Sequence, residues 1–472
     1  MFCAKHTRAR SRMTKLTVKE KLGYASASAG DAIAYTASGT FLMFFLTTVA
    51  KISPETAGVI TAIGAVWNAA INPVIGHYAD MVRTRFGRRR PMMTVFSIVL
   101  AVAFFLLFTN VPIGPGVKPF YYGLMLMLYW TGYTGFFVPY LALGADYTSN
   151  YEERTVLRLY ASLFNMGGSM LSMILPTLFV SFLEGLGLTT DRAWSVSGLV
   201  LGLVSAGSIL ITVTACGRKD PPCPPSDEAS QVSRKFRPIK ILKEYASLFQ
   251  LKPIRYLVAA SVLSLIGYSM LLAAMMYFFT YDLGLSSSAS SALLISRALT
   301  GALLIPVTGA ISRRIDKKWT LVLAYGLGVC VLAMLRVIGV SGASGALGIA
   351  AYILGIVLLT AIYWQLIPSM YYDICEYDLW KTGRERQATI VSLQGLVEAV
   401  AVGLGSLILG IVLGAAGFDE AAAVQPETAI TWIRNCTMVI PSVFYVIAMF
   451  ILARHPLDRK EYNRILEDLH KR

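Results

Sequence analysis

The sequence predicts an all-α membrane protein with twelve transmembrane helices in two six-helix halves. Three observations lead there. The chain is 56% hydrophobic and 15% charged, with a mean hydropathy of +0.60, where a soluble protein carries charge on roughly a quarter of its residues. Apolar runs of about 20 residues recur throughout, each long enough to cross a bilayer as a helix. A separation of 233 residues relates Ser53 to Ser286, Pro73 to Pro306 and Gly76 to Gly309, about half of the 472-residue chain. A duplicated helical unit follows, as in transporters whose site lies at the interface of two repeats.

In chain order, the arm at 1–22 is basic and has no apolar core, so it is not a cleaved signal peptide. Met13 opens a run that would serve as a start by itself. Spans are expected at 23–47, 58–79, 91–110, 119–144, 158–183 and 194–214. The second six are expected at 253–280, 287–312, 319–340, 343–370, 388–415 and 430–453. The two bundles are thus 23–214 and 253–453, joined by a linker at 215–252 and followed by a tail at 454–472. The linker begins proline-rich and polar, which predicts irregular backbone. Its end, IKILKEYASLFQLK, has helical apolar spacing with lysines between, which predicts a short amphipathic helix at the inner membrane surface. The tail, LDRKEYNRILEDLHKR, reads as another helix.

Positive charge orients the spans. The proposed outer connections hold little beyond Lys51, Lys118 and Arg192. The arm, the loop with Arg83, Arg85, Arg88, Arg89 and Arg90, the linker, Arg313–Lys318, Lys381–Arg386 and the tail are all basic. This asymmetry places both termini in the cytoplasm of a plasma-membrane protein. It also accounts for the net charge of +15 without a nucleic-acid role, because the basic residues sit between spans and not on one soluble face. The six cysteines show no metal-knuckle spacing, and most lie in or beside spans on the inner side, so they read as packing residues. No GxSxG, HExxH or Walker pattern is present, and all four histidines lie at span ends or in tails. Nothing in the pattern implies an enzyme, a cofactor or a metal.

Ionisable residues inside spans are costly and therefore functional candidates. Asp31, among small residues in span 1, can bind a sugar hydroxyl, pair with a cation or carry a proton; the bland reading is that span 1 starts late and leaves it near the interface. Glu398 in span 11 is flanked by apolar residues, so it either pairs with a base, for which Arg297 and Arg336 are candidates, or carries a proton. Gln394 lies one turn earlier on the same face. Trp364 in span 10 is packing, or a platform for the apolar face of a sugar ring. Asn68 and Asn72, four apart in span 2, share a face with room to bond span 4 or a polar solute. Tyr133 and Thr134 in span 4 are similar candidates.

Four stretches carry a family resemblance: KLGYASASAGDAIAY, VWNAAINPVIGHYADMVRTRFGRRRP, FFVPYLALGADYTSNYEERTVLRLYASLFN, and YYDICEYDLWKTGRERQATIVSLQG with its following LGIVLGAAGFD. In order and in both halves they resemble the glycoside–pentoside–hexuronide:cation symporters, the melibiose and glucuronide permease group. The resemblance implies a major facilitator fold and uptake of a sugar-like solute driven by a cation gradient. The loop after span 2 resembles that family's inner gate, which implies gating roles for Gly76, Asp80, Arg83, Arg88 and Arg89. Its counterpart in the second half implies the same for Arg313, Arg314 and Asp316.

The departures from the pattern alter those expectations. Where melibiose-type carriers hold a cation with two span 2 aspartates, this chain has Asn68 and Asn72. The span 4 aspartate falls on Phe137, although the threonine is kept as Thr134. An asparagine cannot balance a cation's charge, so proton coupling or uniport is expected over sodium coupling. The cation-coupling candidates are Asp31, Asn68, Asn72, Thr134 and Glu398. In the sugar site the span 5 arginine aligns with Ser162 and the span 11 lysine with Ala399, while Trp364 and Gln394 are kept. Asp31 is shifted by one from the sugar-binding carboxylate. The expected solute contacts are Asp31, Tyr133, Trp364, Gln394 and Glu398. The solute is then a neutral glycoside, or a larger amphipathic molecule such as a lysophospholipid resting on aromatics. The expected partners are that solute, a proton and membrane lipid, with the protein a monomer.

Overall fold

The computed structural model describes residues 16–81, 84, 86, 87, 89–147, 151–216, 244–340, 345–384, 386–420, 422 and 424–471. Residues 1–15 of the N-terminal arm and the proline-rich stretch of the linker lie outside these residues; the end of the expected arm, from Val18, is already helical.

Among the described residues, twelve long helices carry the chain. They are α1 (Val18–Phe44, prolonged by a π-helical turn, Phe45–Val49), α2 (Pro54–Met81), α3 (Arg90–Leu107), α4 (Lys118–Tyr147), α5 (Tyr151–Gly185) and α6 (Thr190–Ala215). The second six are α7 (Lys252–Tyr277, prolonged by a π-helical turn, Phe278–Asp282), α8 (Ser287–Ile315), α9 (Lys317–Ile338), α10 (Ala346–Thr382), α11 (Gln387–Ala415) and α12 (Glu427–Ala453). A tail helix, α13 (Arg459–Lys471), follows. Eleven of the twelve are long and apolar enough to cross a membrane; α4 falls short. Its Tyr121, Tyr122, Tyr129, Trp130, Tyr133 and Tyr140 lower its hydropathy while still burying aromatic area. No β-strand occurs among the described residues.

Two compact units result: Met1–Ile52 with Val66–Phe236, and Ser53–Ala65 with Arg237–Arg472. In the first, α1 is the central helix and is buried along most of its length. Small residues let its backbone meet its neighbours, and hydroxyls bond its carbonyls, the packing that replaces a hydrophobic drive in lipid. Thr212 of α6 donates to Gly23 O at 2.7 Å, Ser205 to Gly30 O at 2.9 Å, and Ser172 of α5 to Ile33 O at 3.0 Å. Tyr129 of α4 donates to Ala34 O at 2.6 Å. In the second unit α7 is the buried helix, against α11 and α12, and Ser269 donates to Val402 O at 2.7 Å. The start of α2 belongs with α11: Gly58 faces Gly410 and Leu407 so closely that a Cβ would come within 3.3 Å of their backbones.

The 233-residue repeat reappears in the backbone. The π-helical turns at Phe45 and Phe278 are separated by that distance, as are the starts of α2 and α8. The exits match as well. Ala50 N bonds Phe45 O and Ile52 N bonds Leu46 O, both at 2.9 Å; Leu283 N bonds Phe278 O and Leu285 N bonds Phe279 O, both at 3.0 Å. Each exit needs one left-handed residue: Gly284 at φ 58° in the second half, Lys51 at φ 57° in the first. Glycine takes that conformation without strain and lysine does not.

Some helices run past their expected ends. The expected span 343–370 corresponds to α10 from Ala346, and its helix continues through the polar run to Thr382. Two of its carboxylates have partners there. Lys317 pairs with Asp373 at 2.6 Å, and Arg386 with the fully buried Asp378 at 2.5 Å. Gly383, left-handed at φ 66°, closes the helix by bonding Leu379 O. Of the two expected inner helices, 244–248 at the end of the linker is helical and the tail forms α13.

Candidate functional site

Asp31 lies on α1 in the first unit, half-buried, and its two oxygens are held by two other helices. Tyr133 of α4 donates its hydroxyl to Oδ1 at 2.7 Å, and Asn165 of α5 donates Nδ2 to Oδ2 at 3.2 Å. Both donors are neutral, so the carboxylate is oriented without being neutralised. Tyr133 also stacks on Phe137 at 5.4 Å, meets Trp130 edge-on at 5.3 Å, and lies 6.3 Å from the ring of Tyr35. A carboxylate beside several ring faces can receive hydroxyl donors while an apolar ring face rests on the aromatics.

One face away, Asn68 and Asn72 of α2 meet Thr134 of α4. Thr134 donates to Asn68 Oδ1 at 2.9 Å, and Asn72 Nδ2 donates to the same oxygen at 3.3 Å and to Asn68 O at 3.0 Å. Trp67 donates to Thr131 at 2.9 Å, tying α2 to α4 beside them. Asn68, Asn72 and Thr134 thus bond one another: the Asn68 side-chain oxygen accepts from both of the others, and among the described residues no carboxylate bonds to the group. Among the described residues no cluster of His, Cys, Asp and Glu could hold a metal ion.

A second polar group lies in the other unit. Glu398 and Gln394 are half-buried on α11, and Trp364 of α10 leaves 36% of its surface exposed. Trp364 meets Tyr268 of α7 edge-on at 5.8 Å and Tyr363 at 5.4 Å. Arg297 of α8 and Glu398 both act electrostatically on the Tyr268 hydroxyl, which gathers α7, α8, α10 and α11 around one phenol. Arg336, the other cation considered for Glu398, instead donates to Asn435 of α12 at 3.0 Å.

At the loops expected to form the inner gate, Arg89 is buried and donates to Ala79 O at 3.2 Å, capping the end of α2. Arg90 donates to Val213 O at 2.7 Å, capping α6 in the same way. A Cβ on Gly76 would meet only Val138, at 3.9 Å, an ordinary contact. Arg83, Arg88 and the side chain of Asp80 lie outside the described residues. In the second unit Arg313 and Arg314 are exposed, and the Arg313 carbonyl accepts from Arg459 at 2.5 Å. Asp316 is left-handed at φ 95°; it caps α9 through Lys317 N and accepts the Arg459 amide of α13 at 3.0 Å.

Sequence reasoning missed Asn165 and Tyr268. Asn165 was legible by the rule that picked out Asn68 and Asn72, an amide inside an apolar run. Tyr268 carries no such signal, since its neighbours read as ordinary core.

Comparison with known proteins agrees with this architecture. The model of the MFS/sugar transport protein family matches residues 23–459. The uncharacterized symporter YjmB of Bacillus subtilis is 26% identical over 466 residues, 97% of this chain and 96% of that one. The isoprimeverose transporter of Lactiplantibacillus pentosus is 22% identical, covering 96% and 91% of the two chains. The sodium-dependent lysophosphatidylcholine symporter 1 of Xenopus tropicalis is 23% identical, covering 98% and 92%. Among solved structures, the nucleoside transporter NupG superposes with a TM-score of 0.65 at 12% identity, covering 92% and 98%, which shows a shared fold. Twelve helices with a 233-residue repeat, the family match over nearly the whole chain and the symporter relatives lead to one assignment: the chain is a secondary active transporter of the major facilitator superfamily, belonging to the MFS/sugar transport family and, within it, to the glycoside–pentoside–hexuronide:cation symporters.

Proposed function

We propose that this protein imports a sugar-like solute, a glycoside or a related molecule, across the plasma membrane by alternating access, and that protons drive it. The observation that carries the reading is the contrast within the first unit. Three of the four residues aligned with a sodium site, Asn68, Asn72 and Thr134, bond one another, while Asp31 keeps a carboxylate held by neutral donors. A carboxylate of that kind can bind a proton, and the asparagine cluster has no charge to offer sodium. Asp31, Tyr133, Trp364, Gln394 and Glu398 are assigned to the solute, with Asp31 and Glu398 as proton carriers. Asp80, Arg83, Arg88, Arg89, Arg313, Arg314 and Asp316 are assigned to the inner gates, with Gly76 beside them. The bundles 23–214 and 253–453 are joined by a cytoplasmic linker at 215–252, and both termini are cytoplasmic. The protein acts as a monomer.

A second reading has specific support: a lysophospholipid-like amphipathic solute. One relative is named a lysophosphatidylcholine symporter, Trp364 leaves a third of its surface open, and the sugar-site cations are absent at Ser162 and Ala399.

Solute counterflow in proteoliposomes tests both, because exchange needs no ion gradient. The panel is isoprimeverose, neutral methyl glycosides, a hexuronide and one lysophosphatidylcholine. Exchange of a neutral glycoside, with accumulation that follows an imposed pH gradient and is lost in Asp31→Asn, is the expected result. Accumulation that follows sodium and ignores pH would overturn the coupling. Exchange confined to the lysophospholipid would overturn the sugar reading.

A further inference from the structure

We propose that Tyr133 and Asn165 are positioning residues that set the proton affinity of Asp31, so that movement of α4 or α5 against α1 is linked to proton capture. The inference deepens the proton-coupled reading and rests on it. Its basis is that the two donors reach different oxygens of one carboxylate from different helices, Tyr133 at 2.7 Å from α4 and Asn165 at 3.2 Å from α5. Asn165 is placed by a further bond, Nδ2 to Ser28 O at 3.4 Å, one turn earlier on α1. Both groups stabilise the anion. When Asp31 is protonated, its own O–H needs an acceptor, and an amide N–H pointed at the oxygen offers none. Each bond therefore opposes protonation while it is made and stops opposing it once broken.

The groups around Asp31 leave these two as the local control. From α4 the hydroxyls of Tyr129, Tyr133 and Tyr140 face it, but Tyr129 is committed to Ala34 O at 2.6 Å and Tyr140 to Ser28 at 2.6 Å. From α5 the facing polar group is Asn165. On α6, Ser205 is committed to the carbonyl of Gly30, the residue before Asp31, at 2.9 Å. Among the described residues, the side chains that donate to Asp31 are these two neutral groups and no Lys, Arg or His. A single proton site whose affinity depends on two interhelical bonds is coupled to helix position by necessity: whatever separates the helices favours the proton, and the proton in turn favours separation.

The test reads the carboxyl directly. Infrared difference spectra of the full-length protein in lipid are recorded across pH, with Asp31→Asn as the reference that isolates the Asp31 band. No solute is needed. Tyr133→Phe keeps the ring and its packing and removes one donor; Asn165→Leu removes the other at similar volume. Each variant is expected to move the titration midpoint upward by about one pH unit, and the double variant further. Midpoints that stay at the wild-type value in both single variants, or the lack of any Asp31 band that responds to them, overturn the proposal. The proton-coupled reading fails on a different result, accumulation of a counterflow-active glycoside that ignores an imposed pH gradient.

Discussion

Arg386→Met is the perturbation whose size follows most directly from the geometry. Asp378 is fully buried on the inner extension of α10, and the Arg386 side chain is 15% exposed. The guanidinium grips both carboxylate oxygens, Nε to Oδ2 at 2.8 Å and NH2 to Oδ1 at 2.5 Å, and a third donor reaches Ser247 at 2.9 Å. Thr382 adds one more bond to Oδ1 at 3.1 Å. Bidentate charge-assisted contacts of this kind are among the strongest available to side chains. Methionine fills much of the volume but strands the carboxylate, and removing one partner of a buried pair costs about 3–5 kcal/mol. Replacing both, as Asp378→Asn with Arg386→Met, removes the stranded charge and is expected to recover most of that loss. The assay is unfolding of the purified protein in detergent for the wild type, both single variants and the double variant, read as a double-mutant cycle. A loss in Arg386→Met below about 1 kcal/mol, the range of a solvated pair, would refute the claim that Asp378 is held in a dry site. So would a double variant no more stable than the worse single one.

Two further predictions concern single positions. Lys51→Gly relieves a left-handed residue at the α1 exit, where the matching position of the second half is already Gly284. The relief of about 1–2 kcal/mol, offset by the larger entropy of an unfolded glycine, predicts a net gain of up to about 1 kcal/mol and a higher unfolding temperature. An unfolding temperature that drops would show that the lysine side chain contributes more than the strain. His455, between α12 and α13, is 2% exposed, and its Nδ1 lies 3.1 Å from Leu457 O. Burial pushes the imidazole down from 6.5 to about 4, against a smaller opposing effect of the Leu457 carbonyl. The folded protein therefore holds it neutral. The stabilisation is fully present above the unfolded value and is lost as pH falls from about 6.5 towards 4, amounting to about 3 kcal/mol. Unfolding followed across that window should steepen in the wild type and flatten in His455→Leu; identical slopes would count against it.

Much of the fold was legible because it is encoded locally. Apolar length sets the spans, and a polar break or a glycine ends them. Basic residues mark the connections, and Ser53 before α2 and Pro73 and Gly76 within it recur 233 residues later before and within α8. The extension of α10 was not legible. Its run from Tyr371 reads as polar loop until Lys317 and Arg386 are known to neutralise Asp373 and Asp378.

The site divides along the same line. Composition alone marks Asp31, Asn68, Asn72, Thr134 and Glu398 as polar groups in apolar runs, and so as groups in need of partners. Which partner each one takes is a tertiary matter. Asp31 meets Tyr133 across 102 residues of chain and Asn165 across 134, and Arg336 turns to Asn435 and not to Glu398. A residue's own neighbours in sequence determine whether it can be buried in lipid. Only the packing of whole helices decides which buried donor stands opposite which acceptor, because a helix displays every face at once and its sequence does not say which neighbour each face will meet.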